Sequence, residues 1–400
     1  THGLAVFSVS SSVVHEWLVY SARALDPAFR LSAGVAWSPE AVYHIIYIDD
    51  VLLFGMEAGR VEAAQEDYVA AIEKSGLCLK RSKLVRATSS PVKCLGFVLD
   101  GQRGSLAVHE DTRRHLALLT YHILHSGRTS GRQLQVVLGK WLWVLLPNRL
   151  LLSIFSASFR FVNCAGDRVF VLWPSVAREL RVLLAFLPLL ATDLRSSLCS
   201  VSVATDASTH GFGMVATTLP SSGSVCASLA QPLRGDFKGD AGVVPAMAGL
   251  DEAGQLRDCG DFVLSCQWRL CLKGRWQSVE HINVLELRVL ELLARWCASR
   301  PVFFHQKVFL FSDSQVVVAG LRKGRSSSFP LLSIYRRLAA YLLGTGTKLI
   351  PFWIRSASNP ADGPSRGIKV PDHSGVCGIH TEEIPESSGW FCGLGEGRRY

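Results

Sequence analysis

The clearest pattern of apolar and polar positions is Ile45-Ile46-Tyr47-Ile48-Asp49-Asp50-Val51-Leu52-Leu53-Phe54-Gly55. β-Branched and aromatic residues flank two adjacent carboxylates, which predicts two buried strands joined at a tight turn. Residues 60–75 then take the helical period, with Val61, Ala64, Tyr68, Ala71 and Ile72 on one face and Gly76 as a terminal cap. Residues 77–83 alternate apolar and basic. Between 108 and 195 the period is mostly helical. Residues 131–144 place Leu134, Val137, Leu138, Trp141 and Leu142 on one stripe, and Pro147 stops it. From residue 199 short strands and helices alternate. Strands are predicted over 201–206, 214–217, 263–272, 308–311 and 348–354, and a strong helix over 281–296. A first helix is predicted over 12–25.

The length, 400 residues, suits two or three domains. A 48% hydrophobic and 19% charged composition excludes global disorder. The net charge of +9 is compatible with a polyanionic partner. The eleven cysteines include no Cys-x-x-Cys pair, and Cys259, Cys266, Cys271 and His281 have the wrong spacing for a zinc finger. Free thiols in a reducing compartment are expected. No secretory pattern opens the chain, and the apolar segments 145–155 and 182–191 are too short or too interrupted to span a bilayer. The expectation is an intracellular protein, in cytoplasm or nucleus, without a membrane partner. The first residue is Thr, so the chain is expected to begin inside a longer reading frame.

Asp49 and Asp50 admit two readings. Paired aspartates at a hairpin tip are a common solvated turn. Within an apolar run, an unpartnered carboxylate costs several kcal/mol, and a divalent cation such as Mg²⁺ accounts for two of them at one turn. The sequence Tyr47-Ile48-Asp49-Asp50 resembles the Tyr-x-Asp-Asp box of reverse transcriptases. That resemblance implies that Asp49 and Asp50 hold metal in a polymerase palm and that Tyr47 packs near the primer end. It also makes Lys80 and Lys83 candidates for the incoming phosphates, the other reading being a solvated basic edge strand. Residues 94–100 resemble the Leu-Gly turn of the primer grip, which singles out Gly96. The family's further palm aspartate has no match: before Asp49 the only acids are Glu16, Asp26 and Glu40. Fingers and half a palm are therefore expected to be missing. The chain alone is not expected to polymerise, since a two-metal site needs both palm segments. Template–primer and dNTP are partners only if the palm is completed.

A second carboxylate set follows. Asp206 closes an alternating strand before a glycine turn, resembling the first hairpin of the ribonuclease H fold. Glu286 lies in Asn283-Val284-Leu285-Glu286-Leu287, which resembles that family's Asn-x-x-Glu-Leu box and also fits a capping box. Asp313 in Ser312-Asp313-Ser314 fits a metal ligand at a strand end or a helix N-cap. Asp362 sits in Asn359-Pro360-Ala361-Asp362-Gly363-Pro364-Ser365-Arg366, which resembles the family's Asn-x-x-Ala-Asp-x-x-Ser-Arg ending; otherwise it is a turn residue. By resemblance these four carboxylates hold two Mg²⁺, with Mn²⁺ as a substitute, and hydrolyse the RNA strand of an RNA–DNA hybrid. Arg322, Lys323 and Arg325, with Arg336 and Arg337, form the densest basic region, either a solvated face or a backbone-binding one. Trp141 and Trp143 belong to the core or stack on bases.

The expected fold class is α/β and α+β multidomain. Residues 1–105 would be the C-terminal part of a palm and 106–197 a helical thumb or connection. Residues 198–368 would be a ribonuclease H-like mixed sheet with flanking helices and an insertion at 218–278, followed by a loose tail over 369–400. The order resembles a retrotransposon polyprotein, of the DIRS-type or VIPER-like tyrosine-recombinase retroelements. The alternative is an inert remnant or a nucleic-acid-binding scaffold.

Overall fold

The computed structural model describes residues 17–19, 25–31, 38–47, 50–76, 84–88, 90–219 and 258–368. They fall into two compact units, one within residues 1–92 and one that starts at residue 93.

In the first unit, β1 (Tyr43–Tyr47) and β2 (Asp50–Phe54) are antiparallel, with Tyr43 opposite Phe54 and Tyr47 opposite Asp50. Helix α1 (Ala58–Lys74) buries Val61, Tyr68 and Ile72. Tyr68 and Ile72 share a small core with Leu18, Val19 and Leu25, against which Ile46, Val51 and Leu53 pack. Gly76 takes a φ of 77° just past the helix, the conformation that a glycine at this place supplies without strain. Of the helix expected over 12–25, residues 17–19 are described and are helical. The strand pair is half-buried rather than buried: Tyr47 and Asp50 at its tip are exposed.

The second unit opens with β3 (Val92–Cys94), β4 (Phe97–Asp100) and β5 (Ser105–Val108). Leu95 and Gly96 both have positive φ, 51° and 83°. A two-residue turn of that hand matches the twist of the strands it joins. Helices α2 (Glu110–Ser126), α3 (Gly131–Val144), α4 (Ala157–Ala165) and α5 (Pro174–Phe186) follow. They are interleaved with the short pair β6 (Arg128–Ser130) and β7 (Val169–Val171), and β8 (Ala191–Asp193) then joins the edge of β5. Ser130 starts α3 through a reciprocal cap with Gln133. Leu116, Leu134, Leu138, Phe161 and Leu180 fill the core between these helices. Trp141 is buried there, its indole N–H donating to the Thr120 hydroxyl at 2.9 Å. The Trp143 indole donates to the Leu95 carbonyl at 2.7 Å. Both tryptophans therefore serve the core.

The rest of the unit is a five-stranded mixed sheet of β9 (Val201–Ala207), β10 (Gly211–Thr218), β11 (Arg269–Arg275), β12 (Lys307–Ser312) and β13 (Lys348–Trp353). Its order is β11-β10-β9-β12-β13. The first three strands form an antiparallel meander, and β12 and β13 add in parallel beside β9. A short helix α6 (Gly260–Leu264) precedes β11, where the sequence pattern predicts strand from residue 263. The long α7 (Ile282–Ala298), α8 (Gln315–Lys323) and α9 (Phe329–Thr345) supply the crossovers, as parallel neighbours require. All seven residues of β9 are buried, the mark of a strand covered on both faces. Val203, Met214 and Leu310 of the sheet pack with Leu285, Leu290 and Leu338 of the helices.

The sheet and the preceding helices share interior. Ala339 of α9 belongs to the helical core. Arg336 donates to the Ser153 and Ile154 carbonyls and to Glu179. Glu179 in turn accepts the Ser156, Ala157 and Ser158 N–H groups that start α4. Removing Arg336, whose side chain is one-third exposed, would leave the buried Glu179 carboxylate without its counter-charge and destabilise this junction. Among the described residues no helix is long and apolar enough to cross a membrane.

Candidate active site

Three elements far apart in sequence bring carboxylates together. Strand β9 delivers Asp206, buried, opposite Gly213 of β10. Helix α7 delivers Glu286, 9% exposed. The residue capping α7 is His281, which accepts the Asn283 N–H at 3.2 Å. Glu286 therefore lies beyond the first helical turn, and the capping-box role is ruled out. Asp313 follows the last residue of β12. Ser314 caps α8 by accepting the Val317 N–H at 3.3 Å, so the N-cap role belongs to Ser314 and not to Asp313. One carboxylate oxygen from each of Asp206, Glu286 and Asp313 lies within 4.8 Å of the others.

This proximity has an electrostatic consequence. Burial, then the charges of Asp206 and Asp313, push Glu286 up to about 9. Burial also dominates at Asp206. The Ser365 hydroxyl opposes it, the charges of Asp313 and Asp362 reinforce it, Arg366 opposes it, and the net result is about 6. Near neutral pH such a group holds protons unless a cation replaces them. The donor set, carboxylate oxygens alone, suits a hard divalent cation such as Mg²⁺. The residues present therefore fit the metal that the sequence resemblance implies.

Asp362 does not join the three. It is the first residue of the one-turn helix α10 (Asp362–Ser365), and it pairs with Arg366 at 2.9 Å on a side chain one-third exposed. Its charge nonetheless raises Asp206.

Asn359, quoted in the sequence only as part of a motif, proves to be built into the site. It is buried, and its amide Nδ2 donates to the Asp313 carboxylate at 3.0 Å and the Thr205 carbonyl at 3.2 Å, with Asp206 Oδ1 at 3.5 Å. Its Oδ1 accepts the Ala361 N–H at 3.1 Å. Gly213 is a second requirement. A Cβ there would lie 2.6 Å from the Ala361 carbonyl oxygen and 2.8 Å from the Ser365 nitrogen. Only glycine lets residues 359–365 close over β10 beside Asp206. The signals for Asn359 are its place in the Asn-Pro-Ala-Asp motif and the Asn-Pro dipeptide, which holds the residue before proline extended.

The other candidates lie elsewhere. Arg322 is half-buried; its guanidinium donates to the Pro351 carbonyl at 3.1 Å, and burial lowers its pKa. Lys323 and Arg325 are exposed, with Arg325 over the Phe159 ring at 5.9 Å. Arg336 and Arg337 are not a solvated face: the first is tied to Glu179, and the second donates to both oxygens of buried Glu291. Gly96 occupies the β3–β4 turn, its carbonyl accepting the His109 N–H. Tyr47 and Asp50 face each other at the exposed hairpin tip. The desolvation argument for a cation therefore does not hold for Asp50. Asp49, Lys80 and Lys83 lie outside the described residues.

No protein-family model matches the chain, and no curated protein matches it. Among solved structures, it is similar to a foamy viral protease-reverse transcriptase in complex with double-stranded DNA, at 12% identity and a TM-score of 0.34 over 88% of this chain and 49% of that one. A foamy viral protease-reverse transcriptase in complex with an RNA/DNA hybrid matches at 10% identity and a TM-score of 0.32, over 92% of this chain and 62% of that one. A ribonuclease H1 of the archaeon Halobacterium salinarum matches at 15% identity and a TM-score of 0.23, over 42% of this chain and 98% of that one. The chain thus spans about half to three-fifths of the foamy viral chains. These likenesses are remote, and residue roles rest on the site's own geometry.

Proposed function

We propose that residues 198–368 hydrolyse the RNA strand of RNA–DNA hybrids with divalent cations, as part of a retroelement reverse transcriptase of the DIRS or VIPER-like type. The observation that carries this reading is the meeting of buried Asp206 and Glu286 with half-buried Asp313, from a strand, a helix and a strand end. Three carboxylates crowded this way destabilise one another unless a cation offsets their charge. Asp206, Glu286 and Asp313 would hold Mg²⁺, or Mn²⁺ in its place. When bound, divalent cations activate a water toward the scissile phosphate and offset charge on the departing 3′ oxygen. The protein's share is to align the three carboxylates, whose protons a bound cation would displace. Asp362, near enough for its charge to raise Asp206 and paired with Arg366, would join the ligand set once that pair opens. Lys323 and Arg325 would neutralise backbone phosphates.

The Tyr47-Ile48-Asp49-Asp50 box would supply the palm half of a polymerase site, with Gly96, Lys80 and Lys83 toward primer and incoming dNTP. Synthesis needs the carboxylate that this chain does not match. The test is cleavage of an end-labelled RNA–DNA hybrid by the full chain with and without Mg²⁺. Hybrid binding without Mg²⁺-dependent cleavage would instead identify an inert scaffold.

A further inference from the structure

Asn359 is a neutral side chain that reaches two of the three carboxylates at once, from an element that supplies none of them. Its amide is fully committed. Oδ1 takes the Ala361 N–H, which fixes the amide's orientation, and Nδ2 is left facing three acceptors. An amide nitrogen has two protons. Distance assigns them to the Asp313 carboxylate at 3.0 Å and the Thr205 carbonyl at 3.2 Å. Asp206 Oδ1, at 3.5 Å, is at the limit of the same donor. One proton therefore grips the strand immediately before Asp206, and the other grips Asp313, so a single side chain sets the spacing of the two carboxylates. A lysine or arginine in this place would compete with a cation by its charge. A neutral amide orients the carboxylates and leaves their negative field intact.

We propose that Asn359 is a positioning residue for the divalent cation site: it aligns Asp206 and Asp313 and thereby sets the site's cation affinity. The proposal rests on the cation-binding reading of Asp206, Glu286 and Asp313 given above. It makes the segment Asn359–Ser365, closed over Gly213, a working part of the site.

Two substitutions in the full chain separate positioning from a merely structural role. Asn359→Ala removes both the clamp and the contact to Ala361. Asn359→Ser keeps an oxygen that can accept the Ala361 N–H across two residues, as Ser and Asn do in such turns, but it is too short to reach Asp313. Mn²⁺ binding is measured directly by electron paramagnetic resonance titration, alongside melting without metal. Partners that orient metal ligands are worth roughly 10–100-fold in affinity. The expected result is that both variants bind Mn²⁺ about tenfold more weakly than wild type, and that the serine variant still melts cooperatively without metal, at a temperature lowered by the loss of the two amide hydrogen bonds. A serine variant that binds Mn²⁺ as tightly as wild type overturns the proposal and leaves the cation site standing. Wild type that binds no Mn²⁺ overturns the cation site itself and the proposal with it.

Discussion

Glu286 is the group whose chemistry the surrounding protein changes most, and Glu286→Gln isolates that change. Burial and the two neighbouring aspartates raise its pKa from 4.5 to about 9. At pH 7 without metal, on the order of one molecule in a hundred would carry the charge. Glutamine is close to an isostere of the protonated form, so the metal-free variant should match wild type below about pH 4.5 and be roughly 3 kcal/mol more stable at pH 7. The two should diverge with pH. A raised folded-state pKa contributes stability that is complete below about 4.5 and is lost as pH rises through about 9. Over that window wild type loses up to about 1.4 kcal/mol per pH unit, or roughly 3 kcal/mol from pH 6 to pH 8, and the variant lacks this slope. Mg²⁺ narrows this gap. Binding displaces the proton, and Mg²⁺ at ten times its dissociation constant stabilises wild type by about 1.4 kcal/mol, with a smaller gain in the variant. The assay is urea unfolding at a series of pH values, in chelator and in Mg²⁺. Identical metal-free pH slopes for the two proteins would refute the reasoning, because Glu286 would then not be held protonated by its surroundings.

Gly213→Val drives a side chain into the Ala361 carbonyl and the Ser365 nitrogen, backbone atoms that cannot swing aside. Overpacking of this kind costs about 1–3 kcal/mol, read by urea unfolding, and cleavage should fall with it as Asn359 is displaced. Arg366→Ala opens an exposed pair worth little to stability. Its urea midpoint should match wild type, whereas Asp362→Asn should slow hybrid cleavage; an Asp362→Asn variant of full activity would remove Asp362 from the site. Lys323→Glu should weaken hybrid binding and lower the salt dependence by about one unit of slope for each phosphate it no longer neutralises, measured by fluorescence anisotropy across a salt series.

Much of this architecture can be read from residue order. The alternation that ends at Asp206, the helix that carries Glu286 and the apolar run before Asp313 all appear as elements within a few residues of the expected bounds. What residue order cannot supply is depth and direction. The run around Asp50 looks as apolar as a buried strand pair, yet its tip is exposed: Ile46, Val51 and Leu53 pack on the small core, and Tyr47 and Asp50 lie at the exposed end. Arg336 and Arg337 look like a basic surface, and only the return of α9 against α5 and α7 shows that their partners are Glu179 and Glu291. The capping reading of Glu286 failed because the helix begins with His281 at its cap, two residues before Asn283. Asn359 and Gly213 were hidden for a related reason. An amide that bridges two strands, and a glycine needed for a close approach, are properties of the closed segment and not of any local period.

The whole account turns on whether the buried carboxylates act together on a phosphodiester. The decisive measurement is the cleavage rate of a labelled RNA–DNA hybrid by the full chain in Mg²⁺, compared between wild type and Asp206→Asn at matched hybrid binding. Mg²⁺-dependent cleavage by wild type, reduced to the metal-free background in the variant, is the predicted result. Equal cleavage by the two proteins, or none by a wild type that binds the hybrid, would contradict it.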